Sequence, residues 1–302
     1  MKRPHGSALI GAALLVTTGA AASEVEVINP DASFPEGPLW HEGQLYYVEY
    51  GADTVMMWDG KENTQVWHQD GCGPSAVVEA GDGNFLIPCY DANTLVEITP
   101  AGETLKTLSE DQSGQPLVGP NDAVADAAGG VYFSASGVWD IAAPIDGKIF
   151  YIDPGGTIAE VADDIHYANG LALSPDGRTL YASEMAAQRV LRFEVNDDGT
   201  LGQRYLFVRL GDLAADPPGV DIYMGPDGLK TDGAGNLYIA QFEGGRVLVT
   251  DPAGELIRIL TVPAPFVTNL TFGETEDTVF VTAASDAWSE PYPGQVYKIE
   301  NR

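Results

Sequence analysis

Beyond the first two dozen residues, apolar and polar positions alternate in short runs that break at turns, and no long stretch keeps a 3.6-residue apolar period. Alternation of period two marks strands with one buried face. One phrase recurs along the chain. A polar residue opens a short alternating run, a turn with Gly and an acid follows, and a second run rich in Tyr, Phe and Val closes it. The six copies open on Glu36, Ser75, Asn121, Asn169, Asp227 and Asn269, with starts 39 to 58 residues apart. Further strand-like segments fill the intervals, among them 148–152, 157–161, 189–195 and 246–251.

Four antiparallel strands account for a repeat of about 40 to 50 residues, the size of a propeller blade. The pattern therefore predicts an all-β chain, a six-bladed β-propeller with four-stranded antiparallel blades. A large sandwich is the other all-β reading, but it would not repeat one phrase six times. Ring closure is expected from residues 24–28 pairing beside 295–299 to complete blade six, which removes two exposed edges.

Residues 1–22 read differently. Lys2 and Arg3 precede an apolar run from Ala8 to Val16, and Ala20-Ala21-Ala22 offers small residues before a cut at Ser23. That is the three-part form of a secretory signal peptide, too short to span a membrane. The expected division is thus 1–22 signal peptide and 23–302 propeller domain, periplasmic or secreted, with no membrane insertion after cleavage. Charge narrows the partners. With 15 Lys+Arg against 44 Asp+Glu the chain carries −29, and an acidic surface without a basic stripe excludes nucleic acid. Cys72 and Cys89 flank the inner hairpin of blade two, and in an oxidising compartment a cross-strand disulfide between them is expected ahead of two buried thiols.

Register turns the repeat into a site. The innermost strands of a propeller line a central channel and run the same way, so residues at one point of the repeat form a ring. That ring is Glu36, Ser75, Asn121, Asn169, Asp227 and Asn269, and every member carries an oxygen. Carboxylates and amides buried together need a compensating charge. Such a donor set, without thiolate or imidazole, suits a hard divalent cation, Ca2+ first and Mg2+, Mn2+ or Zn2+ as alternatives. Asn-Gly and Asp-Gly also favour turns, but turns alone would not select one repeat position each time.

The segments Glu36-Gly-Pro-Leu-Trp, Pro120-Asn121-Asp122, Asn169-Gly-Leu-Ala-Leu-Ser-Pro-Asp-Gly-Arg-Thr-Leu-Tyr181 and Pro226-Asp227-Gly228 resemble the regucalcin/gluconolactonase (senescence-marker-protein-like) family. Drug-responsive lactonase and diisopropyl-fluorophosphatase are its relatives, and the likeness covers nearly all of residues 30–300. The resemblance implies a six-bladed propeller with a divalent ion, usually calcium, on Glu36, Asn121, Asn169 and Asp227. It further implies hydrolysis of a lactone or related ester, with Asp227 as the catalytic carboxylate, acting as base or nucleophile. Sugar-lactonase members carry an Arg two residues before the Asn of the third motif; Gly119 stands there in this chain. That departure moves the expected substrate towards a more apolar lactone or ester.

Ser75, Asn269, His166, Trp139, Met185 and Phe242 are further candidates for the substrate pocket, with Tyr223, Met224 and Trp288 beside them. There is no Gly-x-Ser-x-Gly elbow, so a serine nucleophile has no support. The run from Glu194 to Gly199 mimics the start of an EF-hand, but Tyr205 stands where its bidentate Glu belongs, and it reads as a hairpin turn. A phosphotriesterase on the same ion and a non-catalytic binding propeller remain the alternatives to a lactonase.

Overall fold

A computed structural model describes residues 24–81, 83–140, 142–216 and 225–301. The proposed signal peptide, and Tyr223 and Met224 among the pocket candidates, lie outside the described residues. Six four-stranded antiparallel sheets account for almost all of the regular structure. Each sheet is a blade, numbered here by chain order of its innermost strand. Those inner strands are Pro35–His41, Val78–Glu79, Pro120–Ala125, Ala168–Leu173, Gly225–Thr231 and Phe266–Phe272. The expected strands at 148–152, 189–195 and 246–251 are present as Gly147–Ile152, Arg189–Val195 and Arg246–Thr250. Asn196 to Thr200 forms the turn read from the sequence, closed by Asn196 N–H on the Thr200 carbonyl at 2.9 Å.

Blade six is closed by the N-terminal strand. Val25–Ser33 lies antiparallel against Pro293–Glu300, with Val25 opposite Ile299 and Ser33 opposite Pro293. The pairing runs further than the short segment expected, so the chain's two ends are tied along a whole strand. The alternation seen in the sequence buries its apolar side between blades. Six apolar clusters fill the wedges, one between each pair of neighbours; that between blades one and two holds Tyr46, Val48, Phe85 and Ile87, and that between six and one holds Tyr47, Trp58 and Phe280. The other four wedges follow the same plan.

Blade two departs from its siblings. Its inner strand is only Val78–Glu79, preceded by isolated bridges at Pro74 and Ala76. Pro74 and Pro88 remove two N–H groups from that ladder, which shortens it. Cys72 and Cys89 are bonded there, Cα atoms 4.6 Å apart, holding the chain ahead of Ser75 onto the second strand.

Candidate functional site

Around the axis the inner strands approach closely, and glycine permits it. A Cβ on Gly37 would lie 2.1 Å from the Ala76 Cα, and one on Gly228 would lie 2.2 Å from the Asn269 side chain. Both distances are far inside van der Waals contact, so each strand turns its small residue to its neighbour and its polar residue to the axis. In blades three, four and five the ladder between the first two strands is broken at this point by an extra inner residue, and in blade one the break follows directly after Glu36, which stays opposite Val48. Such a bulge re-aims side chains. It projects Glu36, Asn121, Asn169 and Asp227 into one cavity of about 330 Å³, with Ser75 beside them.

Hydrogen bonds orient the amides. Asn121 donates its Nδ2 to Ser136 Oγ at 2.9 Å, and Asn169 donates its Nδ2 to Met185 Sδ at 3.3 Å. With the Asn121 NH2 held by Ser136 its Oδ1 is left for a ligand, while the Asn169 side chain also hydrogen-bonds the Asp227 carboxyl inside the cavity. Ser75 Oγ donates to the Asn121 carbonyl at 2.8 Å, so it braces its neighbour's backbone as well as lining the cavity.

The two carboxylates are the uncompensated groups. Glu36 Oε2 accepts from Gly37 N–H at 3.1 Å. Asp227 is buried, and its Oδ1 meets no donor among the described residues. Burial, and then the charge of Asp227, push the Glu36 carboxyl well above the usual carboxylate range. Burial, and then Asp122, do the same to Asp227. Two acids and two amide oxygens with an orphaned lone pair fit a hard divalent cation. Among the described residues no three His, Cys, Asp or Glu side chains gather as a metal cluster; the amide oxygens complete the set here.

Two sequence expectations are corrected. Asn269 does not line the cavity. In blade six the extra residue is Thr268, so Asn269 stands one step deeper, opposite Thr282. There its Oδ1 accepts from Leu270 N–H at 2.8 Å and its Nδ2 reaches Asp122 Oδ1 at 3.5 Å. Asp122 also accepts from Leu171 N–H at 2.8 Å, so both its oxygens are engaged beneath the ring. Burial raises the Asp122 pKa, and Lys230, further along the strand from Asp227, opposes that rise. His166 is the second correction. It is absent from the cavity wall, its backbone N–H donates to Glu184 Oε1 at 3.0 Å, and its buried Nε2 meets no partner among the described residues.

Trp139, Met185, Phe242 and Trp288 do line the cavity, as do Phe34, Tyr50, Tyr90, Tyr167 and Tyr292, which sequence reasoning missed. A signal for part of this second group exists. Tyr50, Tyr90 and Met185 each follow the last residue of a second strand, and Phe242 ends one. Reading that repeat position, as well as the first, yields a second ring above the polar one.

Residues 34–285 match the SMP-30/gluconolactonase/LRE-like family. The chain belongs to this family. A pentonolactonase of Haloferax volcanii is 27% identical over 270 residues, covering 85% of this chain and 84% of that protein. A 6-deoxy-6-sulfogluconolactonase of Pseudomonas putida is 27% identical over 267 residues, covering 86% of each. The structure of a calcium-binding regucalcin from Agrobacterium tumefaciens superposes with a TM-score of 0.73 at 20% identity, over 93% of this chain and 95% of that one. At that identity the last comparison speaks for the fold. The family's propeller is therefore the frame on which this chain carries its ring, and the two sequence relatives are both lactonases.

Proposed function

We propose that the protein is an exported, divalent-cation-dependent hydrolase that opens a lactone or related ester in the central cavity. The observation that carries this reading is the buried, donorless Asp227 Oδ1 sharing one cavity with Glu36, Asn121 and Asn169. Lactonase relatives and a calcium-binding structural neighbour support it. Glu36, Asn121, Asn169 and Asp227 would hold the ion through oxygen. When bound, a divalent cation supplies a Lewis acid for the substrate carbonyl and the charge that develops on it.

The chain's own groups do the rest. Ser136 and Met185 each accept a hydrogen bond from one amide NH2, which orients Asn121 and Asn169 at the cavity. Asp227 offers the lone pairs of Oδ1, which meets no donor among the described residues, and would accept the proton of an attacking water. Glu36, tied to its own Gly37 N–H, serves as a ligand. Asp122 and Asn269 fill the axis beneath, so water reaches the carbonyl from the open end of the cavity.

Metal content of the purified protein, with a panel of lactones, aryl esters and phosphotriesters, tests the reading. Stoichiometric calcium and lactone opening are expected; turnover of phosphotriesters alone would assign the site to the other hydrolase class, and no turnover would leave a binding propeller. Export rests on residues 1–22, and intact-mass measurement of periplasmic protein is expected to find a start at or within a few residues of Ser23. A membrane-bound product of full mass would contradict it.

A further inference from the structure

We propose that the substrate is an uncharged lactone or ester bearing a flat aromatic or apolar group, which packs on a preformed aromatic wall, and that anionic lactones are rejected. The proposal rests on the hydrolase reading above and names the substrate class of that same site.

Among the described residues more than half of those lining the cavity are aromatic, and none is Lys, Arg or His. The neighbouring sequence 217–224, Pro-Pro-Gly-Val-Asp-Ile-Tyr-Met, contains no basic residue either. With the ion in place Glu36 and Asp227 offset its charge, so an anion entering this space finds no side-chain cation among the described lining residues to receive it, and the chain's net charge of −29 works against its approach. Position 119 cannot supply one. Gly119 has φ +60, and a Cβ there would lie 3.0 Å from the Tyr90 ring and 3.1 Å from the Gly137 carbonyl.

The wall is built in two packed groups. On one side the Trp139 ring lies 4.4 Å from Tyr167 and 6.3 Å from Phe242, and Trp288 lies 6.2 Å from Phe242. On the other, Phe34 packs 5.6 Å from Tyr50 and 6.2 Å from Tyr292. Centroid separations of that order are those of attractive ring pairs. Three of these residues, Phe34, Tyr167 and Tyr292, hold positive φ of 45°, 60° and 55°. That conformation is unusual for bulky side chains and concentrates at sites whose shape is fixed in advance. Backbone bonds hold it: Phe34 N–H donates to the Tyr292 carbonyl at 2.7 Å, Tyr50 N–H to Phe34 at 3.0 Å, and Met185 N–H to Tyr167 at 3.2 Å. Rigid rings facing an acidic floor suit a flat apolar group better than a polyol, whose hydroxyls need fixed polar partners.

The test compares δ-phenyl-δ-valerolactone, δ-methyl-δ-valerolactone, glucono-δ-lactone and a phosphorylated sugar δ-lactone on the calcium-loaded full chain. The phenyl compound is expected to exceed the methyl compound in kcat/KM by about 10-fold or more, with no turnover of the phosphorylated lactone. Trp139→Ala, in a half-buried loop position, is expected to cost the phenyl substrate about 10-fold more in kcat/KM than the methyl substrate. Equal or faster turnover of the sugar or phosphorylated lactone overturns the proposal, as does an equal loss for both substrates in the variant. Calorimetric binding of the corresponding phenyl lactam, which is not opened, separates the two readings. If no lactone is opened yet the lactam binds and Trp139→Ala weakens it, the wall stands and the hydrolase falls; if the lactam does not bind, the wall falls.

Discussion

Blades five and six open on similar phrases, Asp227-Gly-Leu and Asn269-Leu-Thr, and put them to different use. In blade five the ladder is interrupted between Pro226 and Leu229, and Asp227 is left free of strand pairing to enter the cavity. In blade six the interruption falls between Val267 and Asn269, so Thr268 takes the extra place and donates its hydroxyl to the Pro35 carbonyl at 2.7 Å. Asn269 is drawn into the ladder and covers Asp122 instead. A one-residue displacement of a bulge thus separates a candidate ligand from a strut. A polar residue at the same place in a repeat can take a different role where the register break moves ahead of it.

Substitutions at the two positions sharpen that contrast. Asp227→Asn keeps the volume and an oxygen but removes the charge and the base, and turnover at saturating calcium is expected to fall by on the order of 10²- to 10³-fold. Asn269→Ala is expected to leave calcium affinity and turnover within about 2-fold while lowering stability by about 1 to 2 kcal/mol, because Asp122 loses a donor in a buried place. Calcium titrations and steady-state rates on both variants decide this; a loss of ion binding in Asn269→Ala would return that residue to the ring.

Blade two extends the comparison, since it presents Ser75 from a shortened strand held by Cys72–Cys89. Thiol titration of the denatured, unreduced protein is expected to find no free thiol. Replacing both cysteines by serine should cost about 2 to 3 kcal/mol in denaturant unfolding, from the loop of 17 residues the bond closes. Two free thiols, or no change in stability, would leave the proline-interrupted ladder to hold Ser75 by itself.

The smallest effect concerns Glu36, whose carboxyl pKa is raised by burial and then by the charge of Asp227. Glu36→Gln relieves a buried repulsion, so the chelated protein is expected to gain roughly 1 kcal/mol while calcium no longer raises its melting temperature. A variant that loses stability without the ion and still responds to calcium would show that Glu36 is not a ligand.

The blades were legible because their cause is local: alternation, turn residues and a period near the size of one blade state the same thing many times over. Five of the six ring positions face the one cavity for the same reason. Asn269 was misplaced because a bulge position depends on the pairing partner, which its own segment does not reveal. His166 was misread because three residues of sequence proximity to Asn169 do not fix direction; its N–H is taken by Glu184, and the chain turns at Tyr167 with φ 60°. The aromatic wall was only half visible. Trp139, Met185, Phe242 and Trp288 stood out as large residues near hairpin ends, whereas Tyr50, Tyr90 and Tyr167 are typical of strand ends and loops, and only the closed ring brings them together.

Hydrolysis of δ-valerolactone by the wild-type chain after exhaustive chelation, and again after calcium is restored, bears most directly on the claim that the ring is a cation-dependent lactonase site. Activity should disappear with the ion and return with about one calcium per chain, together with a rise in melting temperature. Full turnover by the chelated protein would contradict the account, because Glu36, Asn121, Asn169 and Asp227 would then be held in one cavity for some purpose other than a metal ion.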